Sequence, residues 1–236
     1  MAVFKGGALH GKVGGLIYYV RNGVPCARSV PKPSTKPPSP AQLAQQMRMK
    51  LTMRFLAPLA PVLEETFKPD SRQVKSGLNW ATKQVLQDAV VGDYPHLSID
   101  PRRVMVSWGG QLALQKPVLA IGGDGLCTLQ WHGDSPFVDG NAPAFLLVYN
   151  ETQGRVVVSD GTACRGDGEL SLQLAPKLMR GRLHGYGFVM DRRRRAASRS
   201  VFLGTWIDGE RKESDLPVMD GHTAPSTSDA LEGDRL

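Results

Sequence analysis

Gly11-Lys-Val-Gly-Gly-Leu-Ile-Tyr-Tyr-Val-Arg-Asn-Gly-Val-Pro-Cys-Ala-Arg-Ser-Val-Pro31 is the stretch whose reading decides the fold. Three glycines open it and an apolar run, Leu16 to Val20, follows. Asn22-Gly23 is the strongest short-range hairpin signal, because a type I′ turn needs positive φ at both central residues. A second strand then returns to Pro31. A lone two-stranded hairpin is marginal in water, so this one must lie on the rest of the chain or on another molecule. Its candidates for partner binding are Leu16, Ile17, Tyr18 and Tyr19, flanked by Lys12, Arg21 and Arg28.

Charge singles out the same end of the chain. Residues 1–63 carry nine basic side chains (Lys5, Lys12, Arg21, Arg28, Lys32, Lys36, Arg48, Lys50, Arg54) and no acid before Glu64. The remainder holds 20 basic and 22 acidic residues, so the net charge of +7 belongs to the N-terminal segment. Such asymmetry suits nucleic acid or an acidic protein surface. The three cysteines, Cys26, Cys127 and Cys164, are odd in number and far apart, as in a reduced, cytoplasmic-type protein. No apolar run is long enough to span a bilayer, and Met1-Ala-Val-Phe-Lys-Gly-Gly7 lacks the layout of a signal peptide. The expected location is therefore the cytoplasm or an assembled particle, with no membrane partner.

Working outward, residues 1–10 offer only Phe4, Leu9 and two glycines. Beyond the hairpin, five prolines between residues 31 and 40 predict an extended connector. The first unit, 1–38, is thus a glycine-rich hairpin with a basic, proline-rich arm. A helical segment fills 39–92. Ser39, Pro40 and Gln42 form an N-cap, a first-turn proline and a capping box, and Leu43, Met47, Leu51 and Phe55 recur every four residues. Met47, Met49 and Met53 belong to core packing or to an adaptable partner face. Pro58 and Pro61 end or kink this long helix. A shorter helix is expected over 76–91, stopped by Gly92.

From residue 93 to 207 the pattern switches to short strands separated by Gly, Asp and Asn clusters. They are read at 104–108, 118–121, 126–131, 144–149, 155–158, 170–174, 183–190 and 200–207. The fold class is α+β, mainly β, with a C-terminal antiparallel β-sandwich. Leu170-Ser-Leu-Gln-Leu-Ala-Pro176 followed by Leu183-His-Gly-Tyr-Gly-Phe188 resembles the E–F region of fibronectin type III domains, with Tyr186 as the corner or inner-strand tyrosine and Trp131 as the core tryptophan. Residues 208–236, with eight acids and three Lys/Arg, read as a flexible acidic tail.

Several segments taken in order resemble an uncharacterised domain-of-unknown-function family common in Bacteroidetes. They are Gly11-Lys-Val-Gly-Gly15 with its hairpin and Arg28, Pro40-Ala-Gln42, Arg54-Phe-Leu-Ala-Pro58, Lys75-Ser-Gly-Leu-Asn79, Ala89-Val-Val-Gly92, and Tyr94-Pro-His-Leu-Ser-Ile-Asp100 running into Val104-Met-Val-Ser107 and Gly110. The resemblance covers about residues 6–207. Trp108-Gly109-Gly110 departs from it, since a charged residue before one glycine is the pattern there. The resemblance supports architecture and carries no activity.

No residue pattern signals catalysis. The histidines (His10, His96, His132, His184, His222) have no zinc-like spacing with the cysteines. The glycine-rich stretch lacks the spacing and the Lys-Ser/Thr end of a phosphate loop, and there is no Gly-x-Ser-x-Gly elbow. Carboxylates such as Asp100, Asp124, Asp134 and Asp139 sit where turns use them. No catalytic residue, metal, cofactor or small-molecule substrate is expected. Arg165-Gly166-Asp167 is an integrin-type tripeptide that also suits a turn. Arg192, Arg193, Arg194 and Arg195, with Arg199, fall between two strands and are candidates for binding a polyanion.

Two functions stay open at this point. One is a non-enzymatic structural or assembly protein that docks through its hairpin and arm onto a neighbouring subunit or partner, as a component of a phage-like particle would. The other is a nucleic-acid-binding protein using the acid-free basic segment and the arginine loop. A basic face with exposed aromatics favours the second, and an apolar strand edge the first.

Overall fold

The computed structural model describes residues 3–21, 23–32, 36–67, 76–132, 140–191 and 196–212. Asn22 of the hairpin turn, Lys75, Asp134, Asp139, the Arg192–Arg195 run and residues 213–236 of the acidic segment lie outside the described residues.

The hairpin is present but is half of a larger unit. Strands β1 (Val3–Lys5), β2 (Ala8–Val13), β3 (Leu16–Arg21) and β4 (Val24–Ser29) form a four-stranded antiparallel meander in sequence order. β3 and β4 pair from Leu16↔Ser29 to Arg21↔Val24, the register expected of the hairpin. The first ten residues, nearly featureless in sequence, contribute β1 and part of β2. Gly6 and Gly7 join these strands at φ 56 and 77, the type I′ combination that side chains resist. The Leu16–Val20 run is consequently an inner strand, and the open edges belong to β1 and β4.

Helix α1 (Pro40–Leu56) begins as its sequence predicts. Ser39 Oγ accepts from the Gln42 amide, and Gln42 Oε1 accepts from the Ser39 amide. Only its C-terminal half enters the core, through Thr52, Phe55 and Leu56. A short 3-10 turn at Ala57–Leu59 absorbs Pro58 before α2 (Ala60–Thr66). Next comes α3 (Gly77–Gln84), capped by Ser76 and continued by a π-helical turn at Val85–Ala89. The expected helix stops there, because Val90–Val91 is extended as β5 and pairs with β6 (Ser98–Ile99).

The C-terminal part stacks two antiparallel sheets. The small sheet has the order β11-β8-β7, from β7 (Gln115–Ile121), β8 (Leu126–His132) and β11 (Glu169–Gln173). The large one has the order β10-β9-β12-β14-β15, from β9 (Ala144–Asn150), β10 (Arg155–Val158), β12 (Arg182–Asp191), β14 (Val201–Ile207) and β15 (Glu210–Arg211), with β13 (Ala196–Ala197) also on β12. Leu119, Leu129 and Trp131 meet Leu146, Val148, Leu203 and Trp206 between the sheets. The other face of the large sheet is covered too: Phe145, Leu147, Tyr149, Tyr186 and Phe188 pack on Phe55, Leu56, Leu59, Leu63 and Val85 of the helices. That double burial explains why every residue of β9 is buried. Alternate residues of its unbroken apolar run face different layers.

Two expectations are corrected by this arrangement. Val104–Trp108 is not a strand of a ladder. It is held by scattered bonds and one isolated parallel bridge, Phe67↔Trp108, with Thr66 Oγ1 donating to the Val106 carbonyl (2.7 Å) and Ser200 Oγ accepting from the Val106 amide (3.0 Å). Tyr186 stands on β12, an inner strand of the large sheet, and faces the helices, where its hydroxyl donates to the Pro101 carbonyl at 2.9 Å. Its neighbours Gly185 and Gly187 face the small sheet, where a Cβ at Gly185 would press on Leu119 and one at Gly187 on Leu114. The acidic segment, finally, starts as structure: Asp208-Gly209 turns the chain and Glu210–Arg211 adds to the large sheet. Trp131 is buried between the sheets, as its sequence context predicts.

Candidate functional site

None of the described residues of the meander belongs to either hydrophobic cluster. Its register sorts its side chains into two faces. Lys12 pairs with Ile17, and Ile17 with Arg28, so these three form one row on one face. Strand alternation adds Tyr19 and Arg21 from β3, His10 from β2, and Val24 and Cys26 from β4 to that face. The opposite face carries Phe4, Leu9, Val13, Leu16, Tyr18, Val20, Pro25 and Ala27, and no charged residue. The candidates Lys12, Ile17, Tyr19, Arg21 and Arg28 thus fall together, while Leu16 and Tyr18 are on the other side.

Both faces carry exposed side chains. On the uncharged one Phe4 is 73% exposed, Val13 48% and Leu16 42%. On the basic one Lys12, Arg21 and Arg28 are exposed and Tyr19 is at the border of exposure. Among the described residues none of the three cations pairs with a carboxylate. Segregation of this kind is invisible in the one-dimensional sequence, where Lys12 and Leu16, or Tyr18 and Tyr19, are near neighbours.

The other candidates are dispersed. Arg199 lies with its guanidinium 4.4 Å from the centre of the Trp108 ring, a cation–π contact on an exposed indole. The Arg192–Arg195 run before it is outside the described residues. The Arg165-Gly-Asp turn presents no arginine: Arg165 is 2% exposed, its guanidinium donates to the Leu112 carbonyl, and its own carbonyl accepts from Trp131 Nε1 at 2.7 Å. Asp167 is spent on the Cys164 amide.

One buried polar group has no signal in the sequence. His184 is enclosed against Phe55 and Tyr149. Its Nε2 is 3.1 Å from Glu151 Oε2 and its Nδ1 3.2 Å from Thr205 Oγ1. An ionised carboxylate only accepts, so Nε2 carries the proton that faces Glu151. The hydrogen bond from His184 holds the Glu151 carboxyl below its ordinary range, helped by Arg182 and opposed by partial burial. A hydroxyl, an imidazole and a carboxylate in line are the parts of a nucleophilic relay. Thr205 is 4% exposed, however, and so is closed off from a substrate, and the set ties β12 and β14 to the residue that follows β9. Burial, with Asp124 adding to it, pushes the Cys127 thiol up to about 11, an inert form.

Among the described residues no group of three or more His, Cys, Asp or Glu side chains is placed to hold a metal ion, and no helix is long and apolar enough to cross a membrane. The chain matches no curated protein. Its match to a family, in contrast, runs from within β2 through the helices and both sheets as far as β14. Over residues 8–204 the chain matches, and it belongs to, the family of unknown function DUF6266.

Proposed function

We propose that this is a non-enzymatic assembly protein that docks through the uncharged face of its N-terminal sheet onto a second copy of itself, as a subunit of a phage-like particle would. The observation that carries this reading is the exposure of Phe4, Val13 and Leu16 on a face without a single charge. An apolar sheet face left in water is unfavourable at roughly 25 cal/mol for each Å² that a partner would cover. Contiguous apolar patches of this type mark protein contacts. The same face on another copy is a ready partner: two sheets stack about 10 Å apart, and like faces without charge bring no repulsion. The composition of the connector supports the reading, because five prolines between residues 31 and 40 favour an extended spacer between the hairpin and the helical segment.

The test is the mass of the purified full-length chain in solution, by size-exclusion chromatography with light scattering at low and high salt. A mass of several chains that salt does not reduce supports apolar docking. A monomer at both salt concentrations would overturn it.

A further inference from the structure

We infer that the opposite, basic face of the N-terminal sheet is a binding site for single-stranded nucleic acid. The inference is independent of the docking reading, since it uses the other side of the sheet.

The geometry is that of a platform. Lys12 and Arg28 flank Ile17 across three strands, about 9.6 Å apart on the spacing of a sheet. Tyr19 is two residues further along β3, about 6.6 Å on, and Arg21 a further two. Three cations therefore surround one exposed aromatic ring, with His10 on the same face in the neighbouring strand. The composition of the segment adds to this. No acid occurs before Glu64, so no carboxylate of this segment neutralises the face or repels a phosphate.

The chemistry favours single strands over the other polyanions. Cations spaced along a sheet track a phosphate backbone, and an aromatic side chain between them stacks on an unpaired base. A duplex keeps its bases stacked and offers Tyr19 no face to meet. An acidic peptide would engage the three cations and leave the ring without a role. Lys12 and Arg28 bracket the backbone, Arg21 takes a further phosphate, and Tyr19 stacks on the base. No sequence preference follows, because every base has a π-face.

The experiment is fluorescence anisotropy of a labelled oligothymidylate titrated with the full-length protein over a series of salt concentrations. Two variants are compared with the natural chain, each checked for an unchanged circular dichroism spectrum and urea midpoint. Replacing Lys12, Arg21 and Arg28 together by Gln should weaken binding at low salt by more than about tenfold. It should also make the salt dependence shallower, by about 0.7 in log–log slope for each phosphate that is no longer neutralised. Tyr19→Thr, which keeps the strand propensity, should weaken binding about tenfold and leave the salt slope as it was. Absence of binding by the natural chain at low salt overturns the inference. So does a Tyr19→Thr affinity equal to that of the natural chain. Displacement of the oligonucleotide by polyglutamate at matched charge concentration, as effective as by unlabelled oligothymidylate, would also overturn it and assign the face to acidic protein.

Discussion

Lys12 and Arg28 stand on either side of Ile17 in one row of the N-terminal sheet, although sixteen positions separate them in the chain. Leu16, one residue from Ile17, points the opposite way. Both proposed functions depend on that alternation: one face collects the cations and an exposed tyrosine, and the other carries no charge. The two functions that the sequence leaves as rivals become compatible, because they use different sides of one sheet.

Close packing in the body makes a sharp prediction about Trp108-Gly109-Gly110. A Cβ at Gly109 would run into the Ala197 carbonyl, whereas one at Gly110 would meet nothing within 4 Å. Gly109→Ala should therefore lower stability by about 1–3 kcal/mol, and Gly110→Ala should change it by less than about 0.5 kcal/mol. Urea denaturation of the two variants checks this, and equal effects would contradict it.

The Glu151–His184 pair predicts a pH dependence with a definite sign. A carboxyl held below its ordinary value of about 4.5 binds its proton less readily folded than unfolded. Its contribution to stability is complete above that ordinary value. It is lost as the pH falls through the lowered folded value. Glu151→Gln should thus be less stable than the natural chain at neutral pH, with the gap closing on acidification. Urea midpoints measured across that range test it, and a gap independent of pH would contradict the assignment.

Arg165 has a structural role in this fold. Truncating Arg165→Ala removes the donor to the Leu112 carbonyl and leaves a cavity where the buried side chain lay, for an expected destabilisation of about 2–4 kcal/mol. A thermal melt reads this directly. A variant as stable as the natural chain would mean that the guanidinium contributes nothing where it lies.

Much of this architecture is legible in the sequence, and what is not has physical causes. Ser39, Pro40 and Gln42 announce α1 because a cap is a local device, made by residues three apart. The β3–β4 hairpin is legible for the same reason. The first two strands carry a signal as well: Gly6-Gly7, Gly14-Gly15 and Asn22-Gly23 recur every eight residues, the period of six-residue strands joined by two-residue turns. Their short length and mixed polarity hide them. Val104–Trp108 has the composition of a strand, but its partners are Thr66, Ser198 and Ser200, which no local pattern reveals. The helical layer over the large sheet is hinted at only by the unbroken apolar run in β9. The site divides in the same way. Composition picks out its residues, while their sorting into two faces needs the register.

The central claim is that the uncharged face of the meander holds copies of the chain together. The most direct test is to replace Leu16, Tyr18 and Val20 by threonine in the full-length protein, keeping strand propensity while removing apolar surface, and to compare solution masses with the natural chain by light scattering. The account predicts an assembly of several chains for the natural protein and a folded monomer for the variant. Equal masses for the two would contradict it.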